Sequence, residues 1–189
     1  MNGKAGIEYI LDECIDAGIK EVVFIISKKK MMIKDYFYKD SFYKKIIKKK
    51  KDKRIINEYK KILKYKKMIK FVYQNKPLGT GDAVLKTKKF IKDKYFLMLL
   101  PDDLIVKNNC SKDMISISMK NKCSVMASMK VKKNNVSRWG IYSLSKRLNK
   151  NNFFIKDVIE KPTIKSAPST NAVIGLSLIH ISEPTRPRL

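Results

Sequence analysis

Phe96-Leu-Met-Leu-Leu-Pro-Asp-Asp103 is an apolar run that stops at a proline and two acids. It is too short for a typical helix, and Pro101 cannot continue one, so the pattern predicts a fully buried strand over residues 95–100. Outward from it, the same reasoning sorts the rest of the chain. Glu21-Val-Val-Phe-Ile-Ile26 is a second β-branched run of the kind found in buried parallel strands, and residues 69–74 predict a third. Ile7, Ile10, Leu11, Cys14 and Ile15 stand at helical spacing over 4–17, with Gly18 following as a stop. The stretches 27–67, 79–90 and 111–121 read as helical and 124–130 as extended, with shorter strands around 140–143, 153–159 and 172–179. Strands alternating with helices predict an α/β fold, a mostly parallel twisted sheet flanked by helices in the Rossmann-like manner. In such sheets ligands bind beyond the carboxyl ends of the strands.

Composition narrows the class. A chain of 189 residues with 44% hydrophobic content can bury one sizeable core. No apolar stretch reaches the roughly eighteen residues of a membrane span, and no basic-then-apolar leader opens the sequence, so a cytoplasmic protein is expected. The net charge of +26 raises a nucleic-acid partner. Yet Lys and Arg total 43, and only Arg54, Arg138, Arg147, Arg186 and Arg188 are arginines. Phosphate and base recognition favours the planar guanidinium, while Lys, Ile, Asn, Tyr and Phe share A/T-rich codons. The lysines therefore read as solvated helix faces, and no nucleic-acid partner is expected. Cys14, Cys110 and Cys123 lack metal-ligand spacing and read as reduced thiols. The lone His180 cannot build a metal cluster.

Three places could carry chemistry. In Gln74-Asn-Lys-Pro-Leu-Gly-Thr-Gly-Asp-Ala-Val84 a strand ends and a glycine turn opens a helix. Gly79 and Gly81 would let a ligand approach the backbone, and the Gln74 amide both donates and accepts, as a uracil edge requires. An ordinary turn explains the same residues. After the 95–100 strand, Asp102 can hold Mg²⁺ beside substrate phosphates, with Asp103 capping the next turn. In Lys156-Asp-Val-Ile-Glu-Lys-Pro162, Glu160 could accept from sugar hydroxyls and Lys161 could hold a phosphate. Read from the residues alone, an exposed edge-strand ion pair accounts for that segment.

In order and spacing these pieces resemble the sugar-1-phosphate nucleotidylyltransferases, and among them the bacterial UTP–glucose-1-phosphate uridylyltransferases. The likeness runs from about Lys4 to Gly175. It includes Ile7-Glu-Tyr-Ile-Leu-Asp-Glu-Cys-Ile-Asp-Ala-Gly-Ile19, Pro77-Leu-Gly-Thr-Gly81, Leu99-Leu-Pro-Asp-Asp-Leu-Ile105, Val136-Ser-Arg-Trp-Gly-Ile141, Val158-Ile-Glu-Lys-Pro162 and Ala167-Pro-Ser-Thr-Asn-Ala-Val-Ile-Gly175. The resemblance implies the nucleotidyltransferase fold and transfer of a uridylyl group from UTP to glucose-1-phosphate, releasing pyrophosphate. It implies that Gln74 and Gly79 contact uracil and that Asp102 ligates Mg²⁺. Gly140, Glu160 and Lys161 would hold glucose-1-phosphate, Lys161 through its phosphate, with Asp102 and Lys161 as the catalytic pair. It also implies a homo-oligomer when complete. Thr80 and Asp82 depart from the Leu and His common there, and Trp139 replaces a common Tyr. A sister enzyme using dTTP or N-acetylglucosamine-1-phosphate is the alternative, and a basic nucleic-acid-binding module a distant one.

The ends depart from the pattern. The family's opening strand, its Gly-x-Gly-Thr-Arg loop and its Pro-Lys-Glu segment do not precede Lys4, so Met1 reads as an internal methionine and the first helix has no strand to cross from. The family's second metal-binding Asp is missing downstream. Residues 1–175 therefore read as a partial nucleotidyltransferase domain, incomplete at both ends. Residues 176–189 contain no Lys and resemble the conceptual translation of a sequencing adapter, so they read as a non-native tail. On this reading the chain as written is catalytically inactive and poorly stable.

Overall fold

The computed structural model describes residues 4–50, 52–105 and 108–181. Met1 and the last eight positions of the expected tail lie outside them. The chain divides into two compact units, Gly18–Asp93 and the pair of segments Met1–Ala17 and Lys94–Leu189.

In the first unit, β1 (Val22–Ile26) pairs with β2 (Ile69–Tyr73) in parallel, Phe24 opposite Phe71. Three helices make the crossover: α2 (Met31–Tyr38), α3 (Ser41–Lys50) and α4 (Lys53–Met68). A parallel pair requires such a long connection, since no short turn reverses the chain twice. Asp52 starts α4 by accepting the Arg54 backbone N–H at 2.8 Å. The apolar face of α4 buries Ile62 and Tyr65, and Phe37 packs edge-on against Tyr65 at 6.4 Å and tilted against Phe24 at 5.9 Å. Lys28, Lys29, Lys30, Lys48 and Lys49 all face solvent. The helix α5 (Gly79–Lys86) follows β2.

In the second unit, α1 (Gly6–Asp16) opens with the Glu8 carboxylate accepting the Ala5 backbone N–H at 3.1 Å. Its apolar stripe is buried, Leu11 and Cys14 almost completely. Glu13 ties it to α6 (Cys110–Asn121) by accepting from the Ser111 hydroxyl at 2.7 Å. Five strands form the sheet: β3 (Tyr95–Leu99), β4 (Val125–Lys130), β5 (Gly140–Arg147), β6 (Phe153–Glu160) and β7 (Asn171–His180). β7 is its centre, pairing with β3, β4 and β5, and β6 forms an edge on β5. Met114, Ala127, Leu176 and Leu178 make one core cluster, and Val136, Ile141 and Ala172 another.

The α/β class stands, and the strands fall where the apolar runs placed them. The direction of pairing differs between the units. Parallel pairing is found in β1–β2, whereas the pairs of the five-stranded sheet are antiparallel. Between β5 and β6 the reason is local: residues 148–152 form a tight turn, with Leu148 N–H donating to Asn152 O at 2.9 Å, too short for a crossover. A second correction concerns β3. Its residues are half-buried rather than fully buried, because among the described strands it pairs with β7 alone. β7 itself continues without interruption from Gly175 to His180, whose ring stacks on Tyr95 at 4.6 Å.

Candidate functional site

The second unit gathers four of the six expected site residues around β7. The chain leaving β3 is tied to that strand twice. Leu100 N–H donates to Gly175 O at 2.7 Å, and Gly175 N–H donates to the Asp103 carboxylate at 2.6 Å. A Cβ at Gly175 would lie 2.4 Å from the Leu100 Cβ, so only glycine admits this approach. Asp103 is thus not the cap of a local turn, as expected, but a clamp across the sheet. Asp102 beside it is exposed, and among the described residues its carboxylate has no protein hydrogen-bond partner.

The other three residues meet where β5 begins and β6 ends. Gly140 stands opposite Glu160 in the ladder. A Cβ at Gly140 would come within 2.9 Å of Glu160 Oε2 and 3.2 Å of Val173 Cγ2, so the carboxylate lies over the space that the missing side chain leaves. Val173 and Gly175 share a face of β7 by the two-residue period of a strand. The Glu160 carboxylate and the turn bearing Asp102 therefore flank the same face of β7.

Lys161 follows in the left-handed region, with φ of 45°. Its N–H donates to Trp139 O at 3.0 Å, and Pro162 behind it is buried. That conformation is costly for a residue with a Cβ, and such strain concentrates at functional sites. It also takes the backbone out of strand alternation. No ion pair joins Glu160 and Lys161 among the described residues.

Gln74 and Gly79 lie in the first unit. Gln74 N–H donates to Ile26 O at 2.9 Å, one step beyond β2. Its side-chain amide nitrogen donates twice, to Gly79 O at 3.1 Å and to Asp82 Oδ2 at 2.8 Å. Gly79 has φ of 89°, which turns the chain into α5 and presents its carbonyl to Gln74. The Gln74 amide holds the Asp82 carboxyl below the usual carboxylate range, helped by Lys86 at 3.4 Å. Asp82 stood out in the sequence only as a departure from a pattern; its contact with Gln74 gave no local signal.

Among the described residues no group of three or more His, Cys, Asp or Glu side chains converges to hold a metal. Asp102 fits the sparse mode in which Mg²⁺ takes one or two carboxylates and fills the rest of its shell with water and phosphate oxygens, while the Asp103 carboxylate accepts from the Gly175 N–H. The three cysteines are free thiols. A cavity of about 460 Å³ lies elsewhere, against Lys130, Lys133, Phe153 and Asn171, and includes none of the expected site residues. No described helix is long and apolar enough to cross a membrane.

The model of the family described as nucleotidyl transferase matches residues 2–178. The chain belongs to the nucleotidyl transferase family. It is 32% identical over 183 residues to a UTP–glucose-1-phosphate uridylyltransferase of Streptococcus pyogenes, covering 93% of this chain and 59% of that protein. A UTP-bound UDP-glucose pyrophosphorylase of Acinetobacter baumannii superposes with a TM-score of 0.84 at 26% identity, over 94% of this chain and 64% of that one. An apo UDP-glucose pyrophosphorylase gives 0.80 at 30% identity, over 94% and 66%. The chain thus spans about three fifths of the length of the curated relative and about two thirds of the solved ones.

Proposed function

We propose that this nucleotidyl transferase serves the synthesis of UDP-glucose from UTP and glucose-1-phosphate in the cytoplasm, with pyrophosphate as the second product. The observation that carries the reading is the Gly140–Glu160–Lys161 corner. A side-chain-free position lies under a carboxylate that has no ion-pair partner among the described residues, and a strained lysine follows it. That set suits a sugar with an attached phosphate: the carboxylate accepts from hydroxyls, and the ammonium meets the phosphate as a point charge. Gln74 and Gly79 are the uracil contacts in this reading. Asp102 would hold Mg²⁺, which when bound neutralises phosphate charge. Attack of the sugar phosphate oxygen on the α-phosphorus of UTP needs alignment and charge neutralisation rather than a covalent intermediate. The relatives named above are uridylyltransferases and UDP-glucose pyrophosphorylases, which supports the same choice of substrates.

The test begins with binding. Glucose-1-phosphate is titrated into the isotopically labelled protein and followed by NMR, then UTP and Mg²⁺ are added and ³¹P spectra are searched for UDP-glucose and pyrophosphate. Binding that Glu160→Ala and Lys161→Met each weaken about tenfold or more is expected, the loss of a charged hydrogen bond. N-acetylglucosamine-1-phosphate and dTTP serve as competitors, and tighter binding of either would shift the assignment to a sister enzyme. Glucose-1-phosphate binding that ignores both substitutions would sink the reading.

A further inference from the structure

We propose that the cavity where β4, β6 and β7 meet is a second ligand site, suited to a small phosphate ester whose organic part is a flat ring. It lies in the second unit and includes none of the residues assigned to the proposed reaction.

Size and charge come first. A volume of about 460 Å³ is within the range of small-molecule sites, roughly 300–1,000 Å³. Lys130 and Lys133 line it, and no carboxylate does. Neither ammonium has an ion-pair partner among the described residues. Most lysines of this chain stand on convex helix faces, whereas these two share one concave surface. Lys130 is directly opposite Asn171 in the β4–β7 ladder. Side chains so placed lie on one face of a sheet with Cβ atoms about 5 Å apart, within reach of a single ligand.

The floor is held in place by the protein itself. Ser169 Oγ donates to Tyr142 O at 2.7 Å and accepts from Asn171 N–H at 3.0 Å. Val131 N–H donates to Thr170 O at 2.9 Å. These bonds fix residues 169–171 against β4 and β5. They leave the Thr170 hydroxyl and the Asn171 side-chain amide without a protein partner among the described residues. Both groups can donate to phosphate oxygens, while the two lysines supply charge. A floor already ordered costs little to order again on binding.

The apolar wall is Phe153, whose ring is 39% exposed. Arg147 stands over that ring at 5.6 Å, with its guanidinium donating to Asn149 O at 2.9 Å and Lys150 O at 3.0 Å. The ring is thereby held at the wall, and a third positive charge lies beside it. An exposed aromatic next to ammonium groups suits an anion that carries a ring rather than bare phosphate.

The experiment titrates phenyl phosphate into the isotopically labelled whole chain and follows it by NMR, with inorganic phosphate and phenol as the two halves of the probe. Salt at about 0.15 M screens exposed charges beyond about 8 Å, which suppresses the general attraction of a chain of net charge +26. The amide resonances of Thr170 and Asn171 are expected to move with phenyl phosphate, to move less with inorganic phosphate and to stay still with phenol. Lys130→Met combined with Lys133→Met should weaken phenyl phosphate about tenfold or more. Lys48→Met combined with Lys49→Met removes the same charge from a solvated helix face and should weaken it by no more than about twofold. Phe153→Ala should erase the advantage of phenyl phosphate over inorganic phosphate. All the replaced side chains are exposed, and the melting temperature of each variant confirms that it folds. Resonances of Thr170 and Asn171 that stay still at millimolar phenyl phosphate overturn the proposal. Equal weakening by the two lysine pairs also overturns it, since bulk charge then explains the binding. Loss of phenyl phosphate binding in Glu160→Ala or Lys161→Met would move the signal to the glucose-1-phosphate corner and overturn it as well.

Discussion

Gly175 in the central strand and Asp103 in the turn after β3 are joined by a 2.6 Å hydrogen bond from the glycine N–H to the carboxylate, across 72 positions of sequence. The same glycine accepts from Leu100 N–H. This pair fixes the turn that carries Asp102. Asp103→Ala should leave the Gly175 N–H to water and free the turn, at a cost of about 0.5–1.5 kcal/mol, since the bond is exposed. Weakened Mn²⁺ binding, with hydrogen exchange accelerated at Gly175, is the expected outcome. Asp103→Asn retains an acceptor and should restore most of the protection. Unaltered exchange at Gly175 in Asp103→Ala would refute the clamp.

Gly175 and Gly140 look alike in sequence but should respond differently to alanine. At Gly175 the added methyl would sit 2.4 Å from the Leu100 Cβ and 2.6 Å from its Cγ, atoms close to the backbone that cannot step aside. Overpacking of this kind costs about 1–3 kcal/mol or more, so Gly175→Ala should lower the melting temperature by several degrees, about 2–4 °C per kcal/mol in a chain of this size. Thermal denaturation followed by circular dichroism decides it.

At Gly140 the tightest neighbour is Glu160 Oε2 at 2.9 Å, the far end of a flexible side chain. Gly140→Ala should therefore fold almost normally and push the carboxylate away. The expected loss is in glucose-1-phosphate affinity, about tenfold, with a melting temperature within a degree or two of the parent. A large stability loss with unchanged affinity would place the role of Gly140 in packing alone.

The elements were legible because each has a local cause. β1 is five consecutive apolar residues, and α1 repeats apolar residues at helical spacing before Gly18. Pairing was less legible. β7 draws partners from 95, 125 and 141, and an apolar run shows that a strand is buried without showing which neighbour it runs against. The site divides the same way. Glu160, Lys161 and Asp102 could be read as polar residues at the ends of apolar runs. The bonds from Gly175 to Asp103 and from Gln74 to Asp82 depend on folding and leave no mark at either position. The left-handed backbone of Lys161 was equally hidden, since lysine gives no sign of a positive φ.

The thiol of Cys14 offers a check on the core. Burial, reinforced by the charge of Glu13, pushes it up to about 12 from an ordinary value of 9.0. A group whose folded value is raised contributes stability that is complete below its unfolded value and is lost as pH climbs toward the folded one. Denaturant stability should therefore decline between about pH 9 and about 12, and Cys14→Ala should flatten part of that slope. Tyrosines titrate in the same range, so the difference between the two proteins is the quantity to read. At pH 8 a thiol reagent should spare Cys14 in the native state and reach it on unfolding; rapid native labelling at Cys14 would contradict the packing of α1.

Lys161 permits a sharper separation of stability from function. Its φ of 45° suits glycine and costs a residue with a Cβ about 1–2 kcal/mol. Lys161→Gly relieves that strain but adds freedom to the unfolded chain, which offsets the gain by about 0.5–1 kcal/mol. The fold should thus be as stable as the parent or slightly more so, while the ammonium is lost. If the lysine is strained because it serves a ligand, glucose-1-phosphate binding should fall about tenfold or more as the melting temperature holds or rises. If it serves only the chain reversal after β6, Lys161→Gly should bind as the parent does. Calorimetric unfolding and ligand titration on the same preparation distinguish the two, and a fall in stability with binding retained would remove Lys161 from the site.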